Sequence, residues 1–571
     1  MVGRRPDTTK VYNFLKNFRD TGPNWVSFPQ HFKTVGNYTT LGSGKIYHTN
    51  CAPKAWTCDE CAVEFSENQP PNQDQPYSWS QDKTYETPCQ EYCPPKIPNA
   101  SVPPTACPVS VLGPWLSPSH PDDLFALDKH SSGSGVTLNT SGCQDCAFSS
   151  ADGHTTSTGV EIVLSFTTKP ERDLVVGTLH SHSCELRWTT NSTSASGHFG
   201  SWWRHSTDPA PAFSTGTRGY AACGDPSPFT AFNDYNSTIT ALANLEYAVT
   251  KGGPFFIAMG VFKPHYPWHV PQQFADLYEQ KSIALPNVSA LHAPVGFSPW
   301  GWDRGLDGLT QFRILNSSAP GGSLDVPVNG PASAMPRWAF QSMRRGYYSA
   351  VSWSDHLIGM MLDKMDTLGV TDSTVTVLTS DHGYHLGEGG MWAKETVFED
   401  ATHVPLIIRA PWLGQSSIGF TSSFFELIDL YPTVVELAGV ASPTGLDGTS
   451  QAAVMRSPKR IIKQHAFSQF PRCQQEARFC LPPASEIQVM GISLRTADAR
   501  YTEWWPWNGQ QLRISWANGT LGSELYLHQG DPSYGSGMFD AWENVNHAHE
   551  QQYQGMVRDL AAVLRSQFDS G

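Results

Sequence analysis

The chain is 571 residues long, 39% hydrophobic and 16% charged, with a formal net charge of −14 at pH 7. Such a length exceeds one simple core and predicts two packed units, and the hydrophobic share excludes a largely disordered chain. The acidic balance, with no Lys/Arg run, argues against nucleic-acid or polyanion binding over the whole surface, although it says nothing about a single basic pocket.

Residues 1 to about 130 hold Lys45 and His48, then a cysteine- and proline-rich loop region. From about 131 to 220 the composition turns to Ser, Thr, Gly and His without clear periodicity, as in Ser131-Ser-Gly-Ser-Gly135. This stretch reads as an insertion with one candidate strand, Glu161–Phe166, and retained intron sequence is the rival explanation. Ile239–Thr250 has helical spacing, with Leu242, Leu245 and Val249 on one side, and Phe255–Met259 reads as a buried strand leading to Lys263 and His265. Met343–Leu368 predicts a long helix with Tyr347, Val351, Ile358 and Leu362 along one face. A short buried strand follows at 374–380, another at Val404–Arg409, and then a helix over Phe424–Leu437 broken early by Pro432. Alternating helices and apolar strands predict an α/β fold, a largely parallel sheet covered by helices on both faces. After about residue 440 the pattern changes to short strands (Gln488–Leu494, Leu512–Trp516) and a last helix at Gln551–Gln567. The expected division is a catalytic unit over 1–440 and a smaller C-terminal α+β subdomain over 441–571.

Cysteine usage points to an oxidising compartment. There are twelve cysteines, and eight Asn-x-Ser/Thr sequons at Asn37, Asn99, Asn139, Asn191, Asn236, Asn287, Asn316 and Asn518. Cys58-x-x-Cys61 and Cys143-x-x-Cys146 would suggest zinc in a cytosolic protein, but with so many sequons a disulfide-bonded secretory glycoprotein is the better expectation. No apolar run reaches the ~18 residues of a membrane-spanning helix. The opening Met-Val-Gly-Arg-Arg-Pro has no signal-peptide core, so the expectation is a chain that has lost an N-terminal segment.

The residues richest in chemistry are Thr379-Ser-Asp-His-Gly-Tyr-His-Leu-Gly-Glu388, with Trp392-Ala-Lys394 and Ala401-Thr-His-Val-Pro-Leu406 following. An Asp-His pair at the end of a strand, entering a glycine-bearing loop, lies where open α/β sheets place their ligands. Asp381 offers a carboxylate oxygen and His382 an imidazole nitrogen, both able to bind a divalent cation. Alone, Asp-His-Gly reads more readily as a polar turn with a helix-capping Asp; the lysine twelve residues after the histidine changes that balance.

This string resembles the sulfatase family of the alkaline-phosphatase-like superfamily, and within it most closely the iduronate-2-sulfatase branch. Gly3-Arg-Arg-Pro-Asp-Thr8, Gly44-Lys-Ile-Tyr-His48, Pro76-Tyr-Ser-Trp-Ser80, Pro254-Phe-Phe256 with Lys263-Pro-His265, Ser468-Gln-Phe-Pro-Arg472 and Met490-Gly-Ile-Ser-Leu-Arg-Thr496 resemble family segments in the same order. The resemblance implies hydrolysis of sulfate esters on sugars or glycosaminoglycan-type substrates, one Ca2+ per site, and a lysosomal or extracellular location. It implies Asp381 and His382 as metal ligands, Lys45 and Lys394 as sulfate contacts, His48 beside the nucleophile as a base, and His265 as general acid. Lys263 would aim His265 or be solvated. Disulfides are implied at Cys473–Cys480 and between Cys107 and Cys89 or Cys93.

The family nucleophile is a formylglycine, made by the formylglycine-generating enzyme from the cysteine of Cys-x-Pro-Ser-Arg (or Cys-x-Ala-Ser-Arg). The nearest match here is Cys51-Ala-Pro-Lys-Ala55, on the wrong side of Lys45 and His48, and it reads as a structural cysteine. The Asp-Asp pair that completes the family's calcium site is likewise not found, so the chain as written is expected to be inactive, poorly stable and weak in metal binding. Tyr384 and Glu395 depart from that branch, which has tryptophan and tyrosine there. A carboxylate beside the sulfate would repel an anionic sugar acid. Two other classes compete: a related phosphodiesterase or phosphatase, which would need a further Asp/His metal cluster, and a non-catalytic relic that binds sulfated glycans.

Overall fold

The computed structural model describes residues 1–12, 16–47, 78–80, 162–167, 172–180, 185–190, 196–199, 224–225, 228–266, 268, 270–285, 293–302, 337–414, 418–473, 486–528 and 543–569. Helix α1 (Phe28–Thr34) starts at a reciprocal cap: the Ser27 hydroxyl accepts from Gln30 N, and the Gln30 side chain accepts from Ser27 N. It leads into β1 (Thr39–Gly44). A four-stranded antiparallel meander follows at Ile162–Thr167, Arg172–His180, Glu185–Thr190 and Ser196–Phe199. Helix α2 (Asn233–Lys251) buries Ala241, Leu245 and Ala248, spaced four and three residues apart, and ends at Gly252, whose φ of 77° suits glycine. Strand β2 (Phe255–Gly260) then runs parallel to β1 in the register Thr39↔Phe255 to Gly44↔Gly260.

Helix α3 (Arg337–Thr367) has its core face elsewhere than the sequence suggested. Phe340, Met343, Ala350, Trp353 and Leu357 are buried, while Val351 and Leu362 are 44% exposed. The bulky Trp353, packed on Phe229, Phe232 and Phe274, sets the rotation of the helix over the aliphatic stripe that includes Val351.

Strand β3 (Thr376–Thr379) pairs antiparallel with β4 (Leu406–Arg409), which follows the single turn α4 (Glu399–Thr402). The expected largely parallel sheet is only partly present among the described residues: β1–β2 and the short pair Gly224–Asp225 with Val270–Pro271 are parallel, β3–β4 is antiparallel, and no hydrogen-bonded ladder joins these pairs. The β1–β2 and β3–β4 pairs are joined by a shared core, in which Phe28, Phe32, Tyr431, Val434 and Val435 pack with Phe256 of β2 and Val377 of β3. Expected as buried, Phe255–Met259 and Thr376–Leu378 are only half-buried, since each strand keeps one edge unpaired among the described residues. Helix α5 (Leu430–Leu437) tolerates Pro432 in its first turn, where a missing N–H costs nothing, so it is not broken there.

The N-terminal residues are clamped by this region. Arg5 makes a two-pronged pair with Glu426 at 2.8 Å per arm, Lys463 bridges Glu426 and Asp429, and Thr8 Oγ1 donates to Asp447 at 2.7 Å.

Strands β5 (His465–Arg472), β6 (Val489–Thr496), β7 (Ala499–Asn508) and β8 (Gly522–Leu527) form an antiparallel sheet, with Arg513–Ile514 pairing the end of β7. Side chains alternate along it. Met490, Ile492, Leu494, Tyr501 and Leu525 pack on α6 (Gln554–Phe568) through Ala561 and Leu564. The opposite face presents Val489 and Trp504 to Trp300 and Val397, and Tyr526 to Met391 and Phe398, so it backs the segment after residue 388. Cys473, just after β5, is disulfide-bonded; the other cysteines, and with them every other member of the expected pairings, lie outside the described residues.

Candidate functional site

Three loop systems bring the singled-out residues together. The first leaves the ends of β1 and β2. Gly44 has a φ of 73°, and a Cβ there would meet the Gly260 carbonyl oxygen at 2.0 Å; Lys45 N donates to that oxygen at 2.9 Å. Two glycines thus let the strand ends converge, so that Lys45 and the segment Phe262–His265 emerge side by side. Asp234, in the first turn of α2, accepts from Phe262 N at 2.7 Å and Lys263 N at 3.1 Å. Lys263 Nζ donates to the His265 carbonyl at 3.2 Å, and His265 Nδ1–H donates to the Tyr266 carbonyl. That bond fixes the tautomer of a neutral ring, with the proton on Nδ1.

The second loop continues from β3. His382 N donates to Asp381 Oδ1 at 3.1 Å, Ser380 Oγ donates to the His382 carbonyl at 2.8 Å, and His382 Nδ1–H donates to the Gly383 carbonyl at 2.8 Å. His382 Nε2 lies 3.4 Å from Asp381 Oδ2, so both donor atoms face one point. Gly383 packs so tightly on α4 that a Cβ would meet the Asp400 carbonyl oxygen at 1.9 Å, while its N–H donates to Ala401 O at 2.8 Å.

The third loop carries Lys394, just after Ala393, which holds a φ of 66°. Lys394 N donates to Glu395 Oε2 at 3.0 Å and Thr396 N to the Lys394 carbonyl at 2.8 Å. His385 and Glu388 are building parts: His385 Nε2 meets Thr396 Oγ1 at 2.8 Å, and the Glu388 carboxylate pairs with buried Arg344 and accepts from Leu386 N at 2.7 Å.

Electrostatics ties the three loops into one site. Burial, then Lys394, Lys45 and Lys263, push the His265 pKa well below its ordinary value. Burial followed by Lys394 lowers His382, with Asp381 pulling the other way. Burial alone would raise Asp381, but His382, Lys45 and Lys394 together outweigh it and hold the carboxyl below its usual range. Lys45, His265, Asp381, His382 and Lys394 thus lie within one another's fields; His48 lies outside the described residues.

An aromatic wall, absent from the sequence reading, flanks the site. Tyr384 packs at 5.0 Å on Tyr347 and within 6.5 Å of Tyr266 and Trp268. Burial, then Asp381, pushes the Tyr347 phenol up to about 12, which places Tyr347 beside the Asp381 carboxylate. The buried Tyr384 hydroxyl has no hydrogen-bond partner among the described residues, and Glu395 faces it. Asp234 and Phe262 were also missed: a carboxylate opening a helix reads as a cap, and a phenylalanine after a strand reads as core.

Two places could be considered for a cation. Asp381 and His382 supply two donors to one point, whereas Ca2+ takes ~6–8 oxygens, so the described residues are not a complete calcium cage. Glu399, His528 and Glu543 also converge, all ligand atoms lying within 4.8 Å. Two arginines already fill that cluster: Arg500 pairs with Glu399 and, at 2.6 Å, with Glu543, and Arg495 meets Glu399 at 2.9 Å, while His528 Nε2 lies 3.0 Å from Glu543. It is an ion-pair network that fixes α4 to the C-terminal sheet.

Residues 176–440 match the Sulfatase family model, a match that begins inside the 131–220 stretch. The chain is similar to iduronate 2-sulfatase of Homo sapiens, 25% identical over 588 residues that cover 95% of this chain and 81% of that protein. It is also similar to arylsulfatase K of Xenopus laevis, 33% identical over 341 residues, 58% of this chain and 55% of that protein. In fold it matches a phosphonate monoester hydrolase from Silicibacter pomeroyi, with a TM-score of 0.53 at 18% identity, covering 100% of this chain and 84% of that one. That likeness is one of fold, and the motifs converging on one cationic site agree with the family match: residues 176–440 form a sulfatase-family segment, within a chain that resembles sulfatases along most of its length.

Proposed function

We propose that this protein hydrolyses sulfate esters of saccharides, and that Lys45, Lys394, His265, Asp381 and His382 form the site. The observation that carries this reading is their mutual electrostatic reach although they come from distant parts of the chain. Lys45 and Lys394 would hold the sulfate oxygens as compact point charges. Both relatives named above are sulfatases, which supports the reaction, and the iduronate enzyme directs attention to sulfated sugars.

His265 is the candidate acid at the leaving oxygen, and its chemistry sets a condition. Burial, and after it the surrounding lysines, hold its pKa well below the ordinary value, and an anionic ester beside it would offset the lysines' part and favour the protonated ring that can act as an acid. Its Nε2 is the atom that would carry that proton, since Nδ1–H is committed to the Tyr266 carbonyl. His48 would serve beside the nucleophile.

Formylglycine and calcium would each need groups beyond those described: a Cys-x-Pro-Ser-Arg cysteine, and more oxygens than Asp381 and His382 provide. We infer that the 571 residues by themselves bind sulfated saccharides without turnover. Joining them behind a strand that bears Asp-Asp and Cys-x-Pro-Ser-Arg, with the formylglycine-generating enzyme co-expressed, should yield chelator-sensitive aryl sulfate hydrolysis. Lys394→Ala or His265→Ala should then slow turnover by about a hundredfold or more. Undiminished turnover in both variants would overturn the assigned roles, and turnover by the 571 residues alone would overturn the inference of binding only.

A further inference from the structure

Phe262 carries three members of the cationic site at once. Lys45 Nζ lies 4.6 Å from the centroid of its ring and Lys263 Nζ 4.7 Å, and the His265 ring is 4.6 Å away at a 39° tilt. The ring is buried, with 4% exposed. Its backbone is pinned by Asp234, whose two carboxylate oxygens accept from Phe262 N and Lys263 N. Asp234 is 5% exposed, and its helix α2 is fastened to the end of β1 by the Ser43 hydroxyl, which donates to the Ser237 carbonyl at 2.6 Å.

We propose that Phe262 and Asp234 are positioning residues which assemble Lys45, Lys263 and His265 into a preformed anion pocket. Two ammonium groups brought to one ring repel each other, and without compensation they would swing apart into water. The negative faces of the ring attract both. The buried carboxylate behind lies in the fields of both lysines and offsets part of their charge without reaching the ligand. The lysines are therefore gathered before the anion arrives, and binding does not have to order two long side chains. Neither residue touches the anion; both act through the groups that do.

The inference rests on the reading of the site as one for sulfate, and the experiment separates the two. Inorganic sulfate is titrated calorimetrically into the 571-residue chain and into Phe262→Leu, Phe262→Tyr and Asp234→Asn. In parallel, lysine is labelled with 13C at the ε-carbon, and the ε-methylene protons of Lys45 and Lys263, assigned through Lys→Arg variants, are read by NMR. We expect Phe262→Leu and Asp234→Asn to weaken sulfate about tenfold, and Phe262→Tyr, which keeps the ring, to stay within about twofold of the parent. The two lysine resonances should be displaced upfield by the ring current in the parent and Phe262→Tyr, and lose that displacement in Phe262→Leu. Unchanged affinity in a folded Phe262→Leu overturns the proposal. If the parent binds no sulfate, the sulfate reading fails, and the ring-current displacement alone decides: present and ring-dependent supports the positioning, absent overturns it. If Phe262→Leu does not fold, the displacement in the parent and the affinity of Asp234→Asn decide in the same way.

Discussion

Replacing Arg500 by alanine removes the centre of the network between α4 and the C-terminal sheet. The Arg500 side chain is 2% exposed and bonds Glu399, Glu543 at 2.6 Å and Thr402 Oγ1 at 3.1 Å. Without it, Glu399 keeps Arg495 and His403, but Glu543 is left with His528 and the Glu399 N–H, and the two carboxylates face each other. Breaking a buried pair on one side costs about 3–5 kcal/mol, a large share of the roughly 5–15 kcal/mol that holds a folded domain. The pH dependence carries the signature. Burial raises Glu543 and Glu399, yet Arg500 and the other partners outweigh it and hold both below their unfolded values. Carboxylates depressed in this way contribute stability that is complete above the unfolded pKa of about 4.3 and is lost as pH falls through the folded value. The gap between parent and Arg500→Ala should therefore be full at pH 7 and narrow below about pH 4. Denaturant unfolding followed by tryptophan fluorescence at both pH values measures it. A difference under about 1 kcal/mol at pH 7, or one that does not change with pH, would refute the view of Arg500 as the structural cation of this cluster.

Other outcomes follow from the same geometry. His265 is depressed in the folded chain, so the unfolded chain takes the proton first; its contribution is complete above about pH 6.5 and declines as pH falls. Sulfate, by pairing with the imidazolium, should bind more tightly at pH 5.5 than at 7.5, and thermal shift titrations that show the reverse would contradict the assignment. Gly383→Ala drives a Cβ onto the Asp400 carbonyl oxygen at 1.9 Å, and should cost about 1–3 kcal/mol while weakening sulfate binding, checked by unfolding and calorimetry. Leu564→Ala, at a fully buried position between α6 and the sheet, should cost about 2–5 kcal/mol with sulfate affinity unchanged in the folded fraction.

The sequence revealed the site in proportion to how local its signals are. Asp381, His382 and Lys394 stand within fourteen residues of one another in a recognisable string, and the strand before them has its own alternation. Asp234 acts on a backbone nearly thirty residues later, across a helix–strand junction, and nothing in its neighbourhood distinguishes it from a cap. Aliphatic spacing does not reveal the face of α3, because Trp353 sets it, and its aromatic neighbours come from residues 229–274. Arg500, Glu399 and Glu543 pair across 101 and 43 residues, and charge partners that distant leave no mark in a single sequence.

The clamp on the N-terminal residues has a consequence for biosynthesis. Arg5 must wait for Glu426, which the chain reaches 421 residues later, and the Asp7 carboxylate accepts from Gln469 across 462. At ~5–20 residues per second, roughly 20 to 80 seconds pass between the emergence of Arg5 and that of its partner. Throughout that interval Phe28 and Phe32 lack Tyr431 and Val435, the other half of their core. Vectorial folding cannot finish this domain, so its early segment is the one that chaperones would have to shelter longest.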